Sequence, residues 1–338
     1  MTLDYNALGG KRVLVCGGAG FMGSNFILYT LARIPDLRIV NLDLLTYAGN
    51  PENLAGVDTS RYSFVKGDIA DADLTAKLFK DADMVVNFAA ETHVDRSIHS
   101  SAEAFVHTNV LGVHFLLEAL RHTPNVGRMV YISTDEVWGD IPLDSKERFT
   151  EESPFLPNSP YAASKAAGDL LVRAYVKTHQ LPVIVTHSVN NYGPRQFPEK
   201  IIPFFTARAL QDEPLPLYGD GENRRDWLYV DDHSEAILTV LTKGTLGEVY
   251  NISQQKEYSN KELALRILEA LGKPASLITY VEDRPAHDRK YAVDSAKLRG
   301  LGWTPKYTLE EKLSEVVRDL AASLSLRAAP ATNTHISL

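Results

Sequence analysis

Short apolar, β-branched runs recur at Lys11 to Cys16, Leu37 to Leu42, Tyr62 to Val65, Asp83 to Phe88, Arg128 to Ser133 and Pro182 to His187, with helix-like segments between them. Strands that alternate with helices pair in parallel through crossovers, so the pattern predicts an α/β fold with a doubly wound parallel sheet. From Asn191 the pattern changes, with prolines at 194, 198, 203, 214 and 216 and the turn Tyr218-Gly219-Asp220-Gly221. A smaller, irregular α+β substrate-binding lobe is expected there.

Glu248 to Ile252 reads as a further strand returning to the main sheet. Asn260 to Leu271 reads as an amphipathic helix capped by Asn260 and ended near Gly272. The expected division is a major domain over 1–190, to which the chain returns at about 224–253, and a lobe over 191–223 and 254–325. Residues 326–338 belong to an Ala/Ser/Thr-rich tail without apolar periodicity, expected to be disordered. There is no internal repeat.

Gly17-Gly18-Ala19-Gly20-Phe21-Met22-Gly23 follows the first strand and opens a helix. In that context glycines let the backbone turn and approach a pyrophosphate, which the helix N-terminus meets with unpaired N–H groups. Asp43 ends the second strand twenty residues after Gly23. A carboxylate there accepts hydrogen bonds from the adenosine ribose diol and repels a 2′-phosphate, so the Rossmann-type cofactor is NAD rather than NADP. Asp68 and Ile69, after the third strand, are placed to meet the adenine, though Asp68 is equally readable as a helix cap.

Thr134, Asp135 and Glu136 lie at the carboxyl end of the Arg128 strand, where ligands bind in open α/β sheets. Tyr161 and Lys165 open a segment with helical spacing that continues through Leu170, Leu171 and Tyr175, so phenol and ammonium share a face. Tyr62 and Lys66 match the same Tyr-x-x-x-Lys spacing in a strand-like stretch, where four residues span about 13 Å, and are discounted. Asp135-Glu136 could alternatively just begin the next segment as capping residues.

A formal net charge of -8 argues against a general nucleic-acid binder. The single cysteine, Cys16, excludes an intramolecular disulfide and a thiolate cluster, and reads as a small buried residue. His107 and His114 lie seven apart without a carboxylate or cysteine at ligand spacing, so no metal site is expected. No apolar run approaches the roughly 20 residues that span a bilayer. The N-terminus MTLDYNALGG has no signal-peptide character, which predicts a cytoplasmic protein with no membrane partner.

With these residues in place the chain resembles the extended short-chain dehydrogenases/reductases, and among them the dTDP-glucose 4,6-dehydratases. The likeness covers about residues 11 to 320 and includes NLDLLTYAGN at 41–50, FAAETHVDRSI at 88–98, NNYGPRQFPEKIIP at 190–203, YGDGENRRDWLYVDD at 218–232 and EDRPAHDRKYAVD at 282–294. The resemblance implies a nucleotide-sugar substrate and tightly held NAD, regenerated in each turnover. Tyr161 would act as base toward the sugar 4-hydroxyl, its pKa lowered by Lys165 and the nicotinamide charge, and Thr134 would bind the 4-oxygen. Glu136 would remove the C5 proton while protonated Asp135 donates to the departing C6 hydroxyl.

The resemblance also assigns Thr46, Ala89, Ala90, Thr108, Ser133 and Asn190 to the cofactor, and His93, Asn191, Lys200, Ile201, Pro216, Tyr218, Arg225, Asn260, Arg284 and His287 to the substrate. Asn260 is equally readable as a helix cap, and His93 and Arg96 as support for the pocket. It further implies a homodimer through helices at about 99–121 and 160–178, although an apolar stripe could equally face the core. Trp138 stands where the family usually has Tyr, His187 where it has Arg, Val189 where it has Ser and Ala286 where Gly is common. These changes are expected close to the sugar and nicotinamide pocket, where they would alter sugar or nucleotide preference. A 4-epimerase, a uronate decarboxylase or a dehydratase of another nucleotide-sugar would share the glycine loop and the Tyr161-Lys165 pair, as would a non-catalytic NAD-binding regulator.

Overall fold

The computed structural model describes residues 5–328. Its strands run in chain order as β1 (Arg12–Cys16), β2 (Arg38–Asp43), β3 (Tyr62–Lys66), β4 (Met84–Asn87), β5 (Arg128–Thr134), β6 (Val183–Ser188), β7 (Asn190–Tyr192), β8 (Leu215–Tyr218), β9 (Arg224–Tyr229), β10 (Val249–Ile252), β11 (Glu257–Ser259) and β12 (Ile278–Val281). The main sheet is parallel throughout, in the order β10-β6-β5-β4-β1-β2-β3. The order reverses between β1 and β4, and the carboxyl ends beside that reversal form the crevice in which such sheets hold ligands.

The central strands β1, β4, β5 and β6 are buried on both faces, which is why they read as continuous apolar runs, whereas the edge strand β3 is largely exposed. Val13 and Val15 of β1 point into one core with Phe26 and Ile27 of the Phe21–Arg33 helix and Ile237 and Leu241 of the Val230–Lys243 helix. Leu14 and Cys16 point into the opposite core with Phe79, Leu116, Leu117 and Val172. The strand period of two thus feeds two separate helix layers. A third core, including Ile202, Phe205, Trp227, Leu263, Ile267, Leu313 and Val317, holds the later part of the chain together.

Within the expected return segment, β10 completes the main sheet beside β6, and the Val230–Lys243 helix packs on the Phe21–Arg33 helix. β9 instead pairs with β7 and β11 in a separate three-stranded sheet, and β8 pairs with β12. No described helix is long and apolar enough to cross a membrane.

Three local expectations need correction. The Asn260–Leu271 helix is capped by Ser259, not Asn260: Ser259 Oγ accepts from Glu262 N at 3.1 Å, while Ser259 N donates to Glu262 Oε2 at 2.6 Å. This reciprocal capping box satisfies two helix-end donors. The helix expected over about 99–121 starts later: Ser100 is extended after Val94–His99, and helical backbone then runs from Glu103 to Arg121 with a π-helical turn at His107–Gly112 within it. The first residues of the segment expected to be disordered, 326–328, are instead helical, since a helix runs through Leu309–Ala328, and 329–338 lie outside the described residues.

Ala286 has φ 52°, in the left-handed region that suits glycine. Ala286→Gly is therefore expected to stabilise the protein by about 1 kcal/mol, raising Tm by about 2 °C in thermal unfolding. An unchanged or lower Tm would mean that the strain is offset by the greater freedom of glycine in the unfolded chain.

Candidate active site

A cavity opens at the carboxyl edge of the sheet. It is lined by Gly17, Gly20, Phe21, Met22, Gly23, Asp43, Thr46, Asp68, Ile69, Ala89, Ala90, Thr108, Ser133, Thr134, Asp135, Glu136, Tyr161, Lys165, Asn190, Asn191 and Lys200. The expected cofactor and catalytic residues are thereby brought to one place, although they come from the ends of six different strands or the segments after them and from three helices.

The glycines have distinct causes. Gly17 has φ +76° and a Cβ there would lie 2.5 Å from Ala89 N, while a Cβ on Gly23 would lie 2.3 Å from Gly17 O. These two are demanded by the chain's own packing. At Gly20 the nearest atom to such a Cβ is Gly17 O at 3.5 Å, so packing alone does not require glycine there. Gly20 is also the N-cap of the Phe21–Arg33 helix and supplies no side-chain cap, leaving first-turn N–H groups available to an anion. An open glycine at an uncapped helix end facing the cavity fits the pyrophosphate of a dinucleotide.

Asp43 stands beside that loop, with Oδ2 accepting from Ala19 N at 2.9 Å and Oδ1 from Leu45 N at 2.8 Å. Each oxygen retains a further lone pair for a diol donor. Asp68 is not the cap of the next helix: Asp71 caps Ala72–Phe79, and Asp68 Oδ2 lies 2.9 Å from His107 Nε2.

β5 ends at Thr134, which caps a 3-10 turn over Asp135–Trp138 by accepting from Glu136 N at 3.3 Å. The capping role thus falls to Thr134, and both carboxylates are free of it. Asp135 is 2% exposed, its Oδ2 has no protein partner, and burial with the adjacent Glu136 charge raises it well above the usual carboxylate range. Burial raises Glu136 as well, but Arg225, Arg284 and Lys200 oppose that rise. The pair is therefore split by its surroundings, Asp135 being the member driven to hold a proton.

Tyr161 and Lys165 lie four residues apart on the Pro160–His179 helix, whose N-cap Ser159 accepts from Ala162 N at 3.1 Å. The expected lowering of Tyr161 is absent from the chain itself. Burial, then the Glu136 charge, raises the phenol well above its ordinary value, although Thr134 opposes this through its hydroxyl. Lys165 Nζ is directed to Tyr131 OH at 3.1 Å and to Ile132 O at 2.8 Å. Tyr131 and Ile132 lie across the helix–sheet interface, a contact that the Tyr-x-x-x-Lys spacing does not encode.

Of the residues expected at the substrate, Asn191 and Lys200 line this cavity, while Lys200, Arg225 and Arg284 act by charge on Glu136. Arg225 donates to Asp288 O at 2.8 Å and lies 4.2 Å over the Tyr291 ring. Arg284 pairs with Asp95 at 2.8 Å, and His287 Nδ1 lies 2.6 Å from Asp283 Oδ1 with its ring edge-on to Tyr218. Lys200 donates to Thr92 O, and Ile201 opens the helix that follows it. His93 Nε2 lies 3.3 Å from Glu199 Oε2, and Arg96 lies over the Tyr47 ring, so both tie surrounding loops together. Pro216 lies within β8. Asn260 is the first residue of its helix and donates its N–H to Asn223 O; it does not line the cavity.

Glu91, Thr92, Phe197 and Glu199 line the cavity without having been singled out. They fall inside segments that carry the family likeness, but no spacing marks them individually. Asp169 was also missed, although its place one turn after Lys165 was visible on the helix face.

Trp138 and His187 are not placed at the cofactor or sugar. Both line a second cavity, of about 480 Å³, between the Pro160–His179 helix and the β6–β10 edge of the sheet. Their ring centroids are 4.6 Å apart, so the two departures from the family pattern are packing neighbours. Being two residues from Glu136 in sequence does not make Trp138 a residue of that cavity, because the 3-10 turn carries it to the other side. Val189 does line the first cavity.

A doubly wound parallel sheet, a glycine loop at its first crossover and a Tyr-Lys pair beside it define an extended short-chain dehydrogenase/reductase. The family model described as GDP-mannose 4,6 dehydratase matches residues 14–316. The chain is 52% identical over 306 residues to the low-salt glycan biosynthesis protein Agl12 of Haloferax volcanii, covering 90% of this chain and 97% of that one. It is 50% identical over 325 residues to a dTDP-glucose 4,6-dehydratase of Xanthomonas campestris pv. campestris, covering 90% and 91%. The crystal structure of DesIV, a dTDP-glucose 4,6-dehydratase from Streptomyces venezuelae with NAD bound, superposes with a TM-score of 0.89 at 46% identity, covering 93% of this chain and 98% of that one. The chain belongs to the GDP-mannose 4,6-dehydratase family and, within it, to the dTDP-glucose 4,6-dehydratases.

Proposed function

We propose that the protein is an NAD-dependent dTDP-glucose 4,6-dehydratase, which converts the nucleotide-hexose to the 4-keto-6-deoxy product with loss of one water. The observation that carries this function is the adjacent pair of buried Asp135 and half-buried Glu136, in the same cavity wall as Tyr161 and the glycine loop. An epimerase or a decarboxylase needs the loop and the Tyr-Lys pair but has no β-elimination for two carboxylates to perform.

Gly17, Gly20, Phe21, Met22 and Gly23 would hold the pyrophosphate, Asp43 the adenosine ribose, and Asp68 and Ile69 the adenine. NAD held there would supply a hydride acceptor and donor for the sugar and a positive ring that favours an ionised phenol nearby. Tyr161 removes the 4-hydroxyl proton, and Thr134 donates a hydrogen bond to the 4-oxygen. The C5 hydrogen, now α to a carbonyl, goes to Glu136. Asp135 passes its proton to the C6 hydroxyl, which departs as water, and Glu136 returns a proton to C5 as C6 is reduced. Arg225, Arg284 and Lys200 supply cations for the diphosphate beside Glu136.

A homodimer is part of the same proposal. Val106, Leu111 and Leu170 are 54%, 41% and 53% exposed on the two segments assigned to the interface, an apolar surface that a second copy would cover. A cytoplasmic setting is proposed with it, where nucleotide-sugars and NAD are at hand.

Incubation with dTDP-glucose in deuterated water, without added NAD, is expected to yield a product lighter by one water and carrying deuterium at C5. Unchanged dTDP-glucose, also after NAD is added, would reject this substrate and reopen other nucleotide-sugars.

A further inference from the structure

The chemistry above leaves one buried charge unused. Asp169 lies one helical turn beyond Lys165 and is 3% exposed. Its Oδ2 accepts from Ser133 Oγ at 2.9 Å and from His187 Nε2 at 2.9 Å, while Oδ1 has no protein partner. A carboxylate accepts only, so His187 must carry its proton on Nε2. Ser133 lines the cofactor cavity, whereas Asp169 and His187 line the second cavity behind it. The trio therefore bridges the two cavities through β5.

We propose that Asp169 is a positioning residue for the reaction: its carboxylate holds the Ser133 hydroxyl at the cofactor end of β5 and keeps the Lys165 ammonium charged behind Tyr161, with His187 fixing it in place. This inference rests on the dehydratase function proposed above. Burial pushes Lys165 down to about 8, and the Asp169 charge is the interaction that holds it up. The Lys165 hydrogen bonds go to a phenol and a carbonyl, neither of which carries charge, and the Asp169 carboxylate acts on the ammonium from one helical turn away without touching it. Around Asp169, β5 presents Tyr131 and Ser133, β6 presents His187, and its own helix presents Lys165 and Tyr161. The second cavity adds Glu151 and Glu152 from the preceding loop, Arg173 and Lys177 from the helix, and Glu248 and Lys297 from the β10 side.

The test compares wild-type holoenzyme with Asp169→Asn, which preserves shape and removes charge, and with His187→Arg, which sets a permanent cation against Asp169. Two readouts are followed against pH: kcat with dTDP-glucose, and the Lys165 signal in protein labelled with ¹³C at lysine Cε, assigned with Lys165→Arg. In Asp169→Asn the alkaline limb of kcat and the lysine midpoint are both expected about one pH unit lower, with KM for the nucleotide-sugar unchanged. His187→Arg is expected to move both in the same direction by less. A pH-independent fall in kcat with an unmoved lysine midpoint would overturn the proposal and leave Asp169 a structural residue. Should Asp169→Asn fail to fold, an unmoved midpoint in His187→Arg overturns it instead. If wild-type protein dehydrates no nucleotide-sugar, the function fails, while the lysine midpoints still decide whether Asp169 sustains the charge.

Discussion

Tyr161→Phe is expected to lower kcat for dTDP-glucose by about 10³-fold, equivalent to about 4 kcal/mol of lost transition-state stabilisation. The substitution removes one oxygen from the wall that also holds Thr134, Asp135 and Glu136. Lys165 is not placed to take over, because it is turned to Tyr131 OH and Ile132 O. The phenol is held high by burial and by the two carboxylates, so its ionisation depends on the cation the cofactor brings and on the Lys165 charge. Steady-state rates with and without Tyr161 measure the effect directly, and KM separates it from substrate binding. A loss below tenfold would show that another group takes the 4-hydroxyl proton.

Asp135→Asn and Glu136→Gln should each lower dehydration by about 10²- to 10⁴-fold while leaving C4 oxidation in place. The two should fail differently. Glu136→Gln blocks removal of the C5 proton, so no deuterium should enter C5 from solvent. Asp135→Asn leaves that base intact, so C5 should exchange although water is not lost. A single-turnover experiment, reading nicotinamide absorbance, C5 label and product mass together, distinguishes these outcomes. Full dehydration by both variants would remove the role assignment, and C5 exchange in Glu136→Gln would reverse it. The difference follows from environment: Asp135 is the more strongly driven to keep its proton, while cations oppose the rise at Glu136.

Local pattern carried much of the fold. The central strands of the main sheet were legible because both their faces are buried, so they read as apolar runs between helical stretches. The glycine loop was legible because Gly17 and Gly23 answer to constraints of the backbone itself. Discounting Tyr62 and Lys66 was sound, since they lie in β3. Caps were less legible: Ser259 and Asn260 are adjacent residues of the same capping type, and the reciprocal bonds with Glu262 decide between them.

The composition and order of residues by themselves determined an alternating strand–helix chain, a dinucleotide loop with an acidic partner, and a Tyr-Lys pair on one helix. Those features depend on neighbours within a few residues, where period, spacing and backbone freedom are written directly. Tertiary structure alone decided that β9 leaves the main sheet for one with β7 and β11, that Lys165 meets Tyr131 rather than Tyr161, and that Trp138 packs on His187 away from the cofactor cavity. Each of these depends on which surfaces meet when distant segments pack together. Burial and neighbouring charge, which set the protonation of Asp135, Glu136 and Lys165, come into existence only with that packing.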